Sequence, residues 1–281
     1  MQFFPDPRAL QEQCLQWKSQ GLEVGFVPTM GALHEGHISL VEAARQSCDK
    51  VVVSIFVNPL QFGPSEDLDA YPRTLEADSE RLARVGVDAL FLPDVETVYP
   101  EGHETRVSVS GISQGLCGGS RPGHFDGVTT VVAILFQIVQ PDIAFFGKKD
   151  FQQWRVIERM TRDLFMSVKV CGLPIVREAD GLAMSSRNAY LCEEDRQRAL
   201  GLSRALKAAK ACYESGERRA SSILQVARDR LEPKVDRVDY IELRDSKSLK
   251  PIESLDSPAV LLVAAFLGAT RLIDNMEIGE P

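Results

Sequence analysis

The chain has 281 residues, with 32 Lys plus Arg against 40 Asp plus Glu, for a formal charge of −8. Hydrophobic residues make up 44% and charged residues 26%, the balance of a globular protein with enough chain for one large domain or two modest ones. The acidic balance argues against a protein whose main work is to coat nucleic acid or an anionic membrane, and it leaves room for a local basic pocket.

Six cysteines, Cys14, Cys48, Cys117, Cys171, Cys192 and Cys212, include no CxxC pair that would seed a zinc site. Reduced, mostly buried thiols in a cytoplasmic protein are the expectation. The opening residues Met1-Gln2-Phe3-Phe4-Pro5-Asp6 lack the basic start and apolar run of a signal peptide. The longest apolar stretches, 128–139 and 259–267, fall short of the ~20 residues of a membrane span, so no membrane partner is expected.

Strand and helix patterns alternate through the first half. Asp6-Pro7 reads as an N-cap with proline at the first helical position, opening a helix to about Ser19. Val24-Gly25-Phe26-Val27 reads as a short buried strand, and 36–48 as a helix. The β-branched run Val51-Val52-Val53-Ser54-Ile55-Phe56-Val57 has the texture of a central parallel strand. A helix over 76–85 and a strand over 89–92 follow. Residues 127–140, apolar on nearly all sides and ended by Pro141, predict a buried helix. A strand over 143–146, a helix from Asp150 to about Phe165 and a strand over 168–170 complete the alternation. This order predicts an α/β fold, a doubly wound parallel sheet with helices on both faces. Near Pro174 the texture changes to two polar-faced helices, 193–214 and 218–231. Three strand candidates, 238–243, 260–266 and 270–276, come after them. The expectation is a smaller α+β domain over 176–281, after a first domain over 1–175.

Chemistry is written at three places. The first is Pro28-Thr29-Met30-Gly31-Ala32-Leu33-His34-Glu35-Gly36-His37, after a predicted strand and at the start of a predicted helix. Ligands bind at the carboxyl ends of such strands, and a helix N-terminus offers N–H groups to a phosphate. Gly31 suits a sharp turn, and Gly36 leaves room for a flat base or a ribose. The two histidines, three apart, fall on one helical face and can donate to phosphate oxygens. A zinc-protease helix needs them four apart, and neither a GxGxxG nor a P-loop pattern occurs. An ordinary helix start with two surface histidines is the plain alternative. The preceding strand and the glycine pair favour the phosphate reading.

The second place is Gly147-Lys148-Lys149-Asp150, again at a strand-to-helix junction, with Gln153 one turn into the helix. Two lysines there can meet a polyphosphate, and a solvated Lys-Lys turn is the plain alternative. The third is Met184-Ser185-Ser186-Arg187, where two hydroxyls and a guanidinium form a plausible phosphate clamp. The order, His-x-Gly-His early and a Ser-rich basic loop late, is that of enzymes that attack the α-phosphate of ATP.

Taken together with Phe56-Val57-Asn58-Pro59-Leu60-Gln61-Phe62, Tyr71-Pro72-Arg73-Thr74, Arg121-Pro122-Gly123-His124-Phe125, the stretch 177–190 and Leu272-Ile273-Asp274-Asn275, the chain resembles the pantothenate synthetase (pantoate–β-alanine ligase) family over essentially its full length. The resemblance implies a Rossmann-like N-terminal domain, a C-terminal lid domain, a homodimer and Mg-ATP as cosubstrate. It implies that D-pantoate attacks the ATP α-phosphate, and that β-alanine then attacks the pantoyl adenylate to give pantothenate and AMP. It places ATP on Met30, Gly31, Ala32, Leu33, His34, Glu35, Gly36 and His37, with His37 as proton donor. It also places ATP on Gly147, Lys148, Lys149, Asp150, Val176, Met184, Ser185, Ser186 and Arg187. Gln61 would hold pantoate and later β-alanine, and Gln153 the pantoate hydroxyls. His34, Lys149, Ser185, Ser186 and Arg187 join His37 as the implied catalytic groups. No metal ligands are legible, since Mg²⁺ is often held mostly by phosphates and water.

Two departures from the family pattern stand out. Lys148 sits where many relatives carry Glu, a change expected to be tolerated if its side chain faces solvent, and Cys117 sits where a carboxylate is common, which predicts modest effects on substrate affinity and sensitivity to thiol reagents. Of the remaining histidines, His103 reads as loop decoration and His124 as part of a cavity wall. Three rival functions stay in view. An adenylyltransferase acting on a phosphorylated substrate would lack the Gln61 and Gln153 pair. A tRNA-charging enzyme would need an anticodon-binding region. A nucleotide-sensing scaffold would have no use for the intact set His34, His37, Lys149, Ser185, Ser186 and Arg187.

Overall fold

The structure, a computed structural model, describes residues 1–64 and 66–279. The chain groups into two compact units, Met1–Lys148 with Gln153–Pro174, and Lys149–Gln152 with Ile175–Pro281.

The first unit begins with β1 (Gln2–Phe4), an edge strand too short to announce itself in the sequence. Asp6 then caps α1 (Pro7–Ser19), its carboxylate accepting the Ala9 N–H at 2.7 Å, as the Asp-Pro signal requires. After it come β2 (Val24–Thr29), α2 (Glu35–Ser47), β3 (Lys50–Ile55), α3 (Leu75–Val85) and β4 (Ala89–Phe91). Two short helices, α4 (Val95–Val98) and α5 (Leu116–Ser120), lie in the long connection to α6 (His124–Val139). The unit closes with β5 (Ile143–Gly147), α7 (Phe151–Asp163), whose first two residues group with the second unit, and β6 (Lys169–Leu173).

The six strands form one parallel sheet in the order β1-β4-β3-β2-β5-β6. From β2 the chain winds outward through β3 to β4, then returns to lay β5 against the other side of β2. That border is the switch point of a doubly wound sheet, where strand ends diverge and leave a crevice for ligand. The two strands that meet there, β2 and β5, are followed by the first and second chemical signals. Val51, Val52 and Val53 are buried without alternation because helices cover both faces of the sheet. On one face Val51 and Val53 pack with Leu40, Val41, Ala44 and Leu82. Elsewhere Phe26, Phe136 and Phe146 meet edge to face. α6 is buried nearly all round, as its unbroken apolar run predicts.

The second unit contains α8 (Glu193–Glu214), α9 (Ala220–Leu231) and an antiparallel sheet of β7 (Arg237–Asp245), β8 (Ala259–Leu267) and β9 (Thr270–Ile278), in the order β7-β8-β9. Glu193, Glu194 and Asp195 occupy the first turn of α8, where the helix dipole favours negative charge. Its small apolar positions Ala199, Ala205 and Ala209 join Ile223, Leu231, Leu261 and Val263 in one core. Among the described residues no helix is long and apolar enough to cross a membrane.

Candidate active site

The loop between β2 and α2 is held from three sides. Thr29 Oγ1 donates to the Ser54 carbonyl at 2.8 Å and accepts the Gly31 N–H at 3.2 Å. Gly31 and Ala32 are both left-handed, with φ of +83° and +49°. This turns the next N–H groups inward, onto Asp78 of α3. Its carboxylate is 2% exposed and accepts the Ala32 N–H and the Leu33 N–H, each at 2.8 Å, one on each oxygen. Thr74 Oγ1 adds a third bond at 3.1 Å, and Arg81 Nη1 donates to the Leu33 carbonyl at 2.9 Å.

The loop ends in a reciprocal cap. His34 lies just outside α2 rather than on its face, and its Nδ1 accepts the Gly36 N–H at 3.1 Å. The His34 N–H donates to His37 Nδ1 at 3.3 Å, and the two rings sit 4.1 Å apart. Both Nδ1 atoms act as acceptors, so in the neutral rings the hydrogen resides on Nε2. Helix capping thereby fixes which nitrogen of each ring can donate to a ligand.

Gln61 is fixed by a relay of amides. Asn58 is fully buried and all four of its hydrogen-bonding positions are filled. Its Oδ1 accepts the Leu60 N–H at 3.2 Å and the Tyr99 hydroxyl at 2.8 Å. Its Nδ2 donates to the Gly127 carbonyl and to Gln61 Oε1, both at 3.1 Å. The Leu60 N–H and Gly127 C=O cannot exchange roles, so they set the Asn58 amide, which sets that of Gln61. Gln61 Nε2 therefore faces away from Asn58 and lies 2.9 Å from Met30 Sδ, a weak acceptor that a substrate oxygen can replace. Burial pushes the Tyr99 hydroxyl well up from its ordinary value, which keeps it a neutral donor. Gly127 is required for this packing, since a Cβ there would lie 2.2 Å from the Leu60 carbonyl oxygen.

The Gln61 backbone is clamped as well. Its carbonyl receives His124 Nδ1 at 2.8 Å and Arg121 Nη2 at 3.2 Å. Arg121 Nη1 lies 3.0 Å from His124 Nε2, which makes Nε2 the acceptor and Nδ1 the donor. Arg121 forks onto Glu66 with two bonds of 2.6 Å. Burial pushes the Glu66 carboxyl up, but the hydrogen bonds and charge of Arg121 outweigh it and hold the group below the ordinary carboxylate range. His124, expected as cavity wall, is thus a strut under Gln61. Gln153 stands half-buried in the first turn of α7.

In the second unit, Lys149 and Asp150 belong to a 3₁₀ turn, Lys148–Asp150, that leads into α7. A small antiparallel hairpin pairs Arg177 with Ala183, and the Met184 N–H donates to the Val176 carbonyl at 3.0 Å. The hairpin runs into Ser185, whose hydroxyl accepts the Arg187 N–H at 3.3 Å and starts a 3₁₀ turn over Ser186–Tyr190. The residues that sequence reasoning missed are the supports: Asp78, Glu66 and Tyr99, together with the strut role of Arg121 and His124. Arg121 and His124 lay within a recognised motif, whereas Asp78, an acid in an amphipathic helix, carried no signal.

The sequence profile of the pantoate–β-alanine ligases matches residues 2–277. The chain belongs to this family. The pantothenate synthetase of Syntrophotalea carbinolica is 52% identical over 281 residues, covering 100% of this chain and 99% of that one. That of Acidobacterium capsulatum is 57% identical over 92% of this chain and 86% of the relative. Among solved structures, the pantothenate synthetase of Thermus thermophilus superposes with a TM-score of 0.93 at 46% identity, covering 100% of both chains. The Francisella tularensis pantoate–β-alanine ligase, solved with β-γ ATP and β-alanine, gives 0.83 at 34% identity over 98% of this chain and 97% of that one. The protein is an ATP-dependent ligase that condenses pantoate with β-alanine.

Both positions read from the sequence as departures, Lys148 and Cys117, have a local setting. Lys148 places its ammonium 5.2 Å from the centre of the Trp154 ring, an attractive cation–π arrangement that a glutamate would lack. Cys117 lies in α5 and is only 8% exposed, which removes the basis for reagent sensitivity at that thiol. Of the other cysteines, Cys14 and Cys48 are buried, Cys171 and Cys212 half-buried, and Cys192, the cap of α8, is exposed. Iodoacetamide should therefore modify Cys192 well before Cys117. Peptide mass spectrometry over a time course checks this, and faster labelling of Cys117 would mean that α5 opens in solution.

Proposed function

We propose that the ligase works through a pantoyl adenylate, with the nucleotide on residues 30–37 and 147–150, Val176 and residues 184–187. The observation that carries this reading is the reciprocal His34–His37 cap beyond the carboxyl end of β2, which leaves Nε2 of each ring as its donor nitrogen. In the first step a pantoate carboxylate oxygen bonds to the α-phosphorus while the bond to the β-phosphate oxygen breaks and pyrophosphate leaves. His34 and His37 meet the charge that builds on the phosphoryl oxygens, His37 as the donor of a hydrogen bond from Nε2. Lys149, Ser185, Ser186 and Arg187 neutralise the remaining phosphate charge. In the second step the β-alanine nitrogen, as the neutral amine, bonds to the acyl carbon, the bond from that carbon to the AMP oxygen breaks, and a proton passes from the nitrogen to solvent as AMP leaves. Gln153 holds the pantoate hydroxyls, and Gln61 holds pantoate and then β-alanine.

Among the described residues no group of three or more His, Cys, Asp or Glu side chains could cage a metal ion. As the family resemblance implies, Mg²⁺ enters as Mg-ATP, held mostly by phosphates and water. The domain reading, 1–175 for ATP and pantoate and 176–281 as the smaller domain, is part of the proposal, as are a homodimer and a cytoplasmic location. The domain division rests on the change of texture near Pro174, the cytoplasmic location on the expectation of reduced thiols, and the homodimer on the family resemblance.

Oxygen-18 tracks the chemistry. With label in the pantoate carboxylate, AMP should carry one labelled oxygen, and pyrophosphate should form from Mg-ATP and pantoate before β-alanine is added. Unlabelled AMP would rule out the adenylate. ATP consumption indifferent to both acids would place the fold in another nucleotidyl transferase.

A further inference from the structure

The stretch Leu272-Ile273-Asp274-Asn275 helps to identify the family, yet the reaction assigns it no role. It lies on β9, an edge strand of the three-stranded sheet. Asp274 is 3% exposed and Asn275 4%. A buried carboxylate and a buried amide are costly unless paired, so their partners reveal what they do.

Arg177 forks onto Asp274, Nη1 to Oδ2 at 2.7 Å and Nη2 to Oδ1 at 2.8 Å. The same guanidinium donates to the Gly181 carbonyl at 3.1 Å and to the Asn275 carbonyl at 3.4 Å. The Asn275 N–H returns to Asp274 Oδ1 at 2.8 Å. Asp274 thus grips, through Arg177, both the first strand and the turn of the hairpin that runs into Met184. The next side chain along a strand points to the opposite face. There Asn275 Nδ2 donates to the Lys149 carbonyl at 2.9 Å.

We propose that Asp274 and Asn275 are positioning residues for adenylation: Asn275 fixes the peptide that carries Lys149, and Asp274, through Arg177, fixes the hairpin that delivers Met184 to Arg187. The inference rests on the reading that Lys149 and residues 184–187 meet the ATP phosphates. Two adjacent residues on one strand thereby hold two phosphate-binding segments far apart in sequence. Lys149 is otherwise weakly placed, with Asp150 Oδ2 3.8 Å from its ammonium and a long flexible stem. Its charge also reaches Asp274. Burial pushes that carboxyl up, and Arg177, the Asn275 N–H and Lys149 oppose the push. A fold-stabilising role alone would not call for such a pair, because an apolar pair of equal volume is often as stable as a buried ion pair.

With Asn275→Ser as the control that adds no charge beside Asp274, Asn275→Asp keeps the shape and replaces the donor to Lys149 with a carboxylate. It should lower kcat/KM for ATP in pyrophosphate formation by about three- to tenfold, the range for one lost hydrogen bond, with KM for pantoate unchanged. The deciding readout is a double-mutant cycle with Lys149→Ala. If Asn275 acts through Lys149, Asn275→Asp adds less than about twofold to the loss in Lys149→Ala, since coupled residues do not add. Equal losses in both backgrounds would overturn the proposal and leave Asn275 a residue of the fold. Full ATP use by Lys149→Ala would sink the phosphate role of Lys149 itself, and the Asn275 assignment with it. Should Asn275→Asp not fold, Asn275→Ser runs the same cycle. Asp274→Asn paired with Arg187→Ala tests the other arm, where additivity would likewise refute it.

Discussion

His37→Ala should lower the rate of pyrophosphate formation at saturating Mg-ATP and pantoate by at least about 10²-fold, the scale of losing one aligned transition-state donor. Two losses combine in this variant. The Nε2 donor goes with the ring, and the His34 N–H loses its acceptor on Nδ1. His37→Asn separates them, because an asparagine oxygen can accept the His34 N–H while offering no donor where Nε2 stood. Stability should return in His37→Asn, read as the melting temperature, while the single-turnover rate stays low. A His37→Ala enzyme with full turnover would remove this ring from the chemistry.

Asp78→Asn should cost nearly as much, although Asp78 touches no substrate in the proposed scheme. Each of its two carboxylate oxygens accepts one loop N–H. An asparagine offers one oxygen, so its NH₂ must oppose either the Ala32 or the Leu33 N–H. An unsatisfied buried donor costs about 1–3 kcal/mol, and the loop relieves it by moving. Displacement of a catalytic group by about 1 Å can cost about 10²-fold. The expected result is a fall of that order in kcat/KM for ATP, with pantoate binding by calorimetry retained, because the Asn58–Gln61 relay does not pass through Asp78. Thr74→Ala removes only the third bond, at 3.1 Å, and should be mild by comparison. Equal loss of pantoate and ATP binding in Asp78→Asn would show that Asp78 supports the whole unit rather than the loop.

The contrast between His37 and Asp78 shows what a sequence carries. His37 was legible because strand, glycine turn, histidine pair and helix start are contiguous, and local order was enough to place them at a strand end. Asp78 lies 45 residues beyond Leu33, and only the packing of α3 brings it to the loop N–H groups. Most strands and helices were legible through their periodicity, with ends shifted by a few residues. β1 was not, because three residues make no period, and neither was α5, where Leu116-Cys117-Gly118-Gly119-Ser120 has little helix preference. Gln61 could be named from its motif, but the residues that orient it come from three separate segments around Asn58, Tyr99 and Arg121. His34 was placed on a helical face by counting; in the fold it stops short of the helix and caps it.

The amide relay ending at Gln61 also imposes a polarity on whatever replaces the Met30 sulfur as its partner. With Oε1 committed to Asn58, Gln61 presents an N–H there, and an N–H welcomes an oxygen and repels an ammonium. In its proposed second task, Gln61 therefore takes β-alanine by the carboxylate end. The amino end is left unheld by this side chain, free to shed the proton that would otherwise block its attack on the acyl carbon. One buried asparagine, oriented by two backbone groups, thus sets the polarity that the Gln61 amide presents.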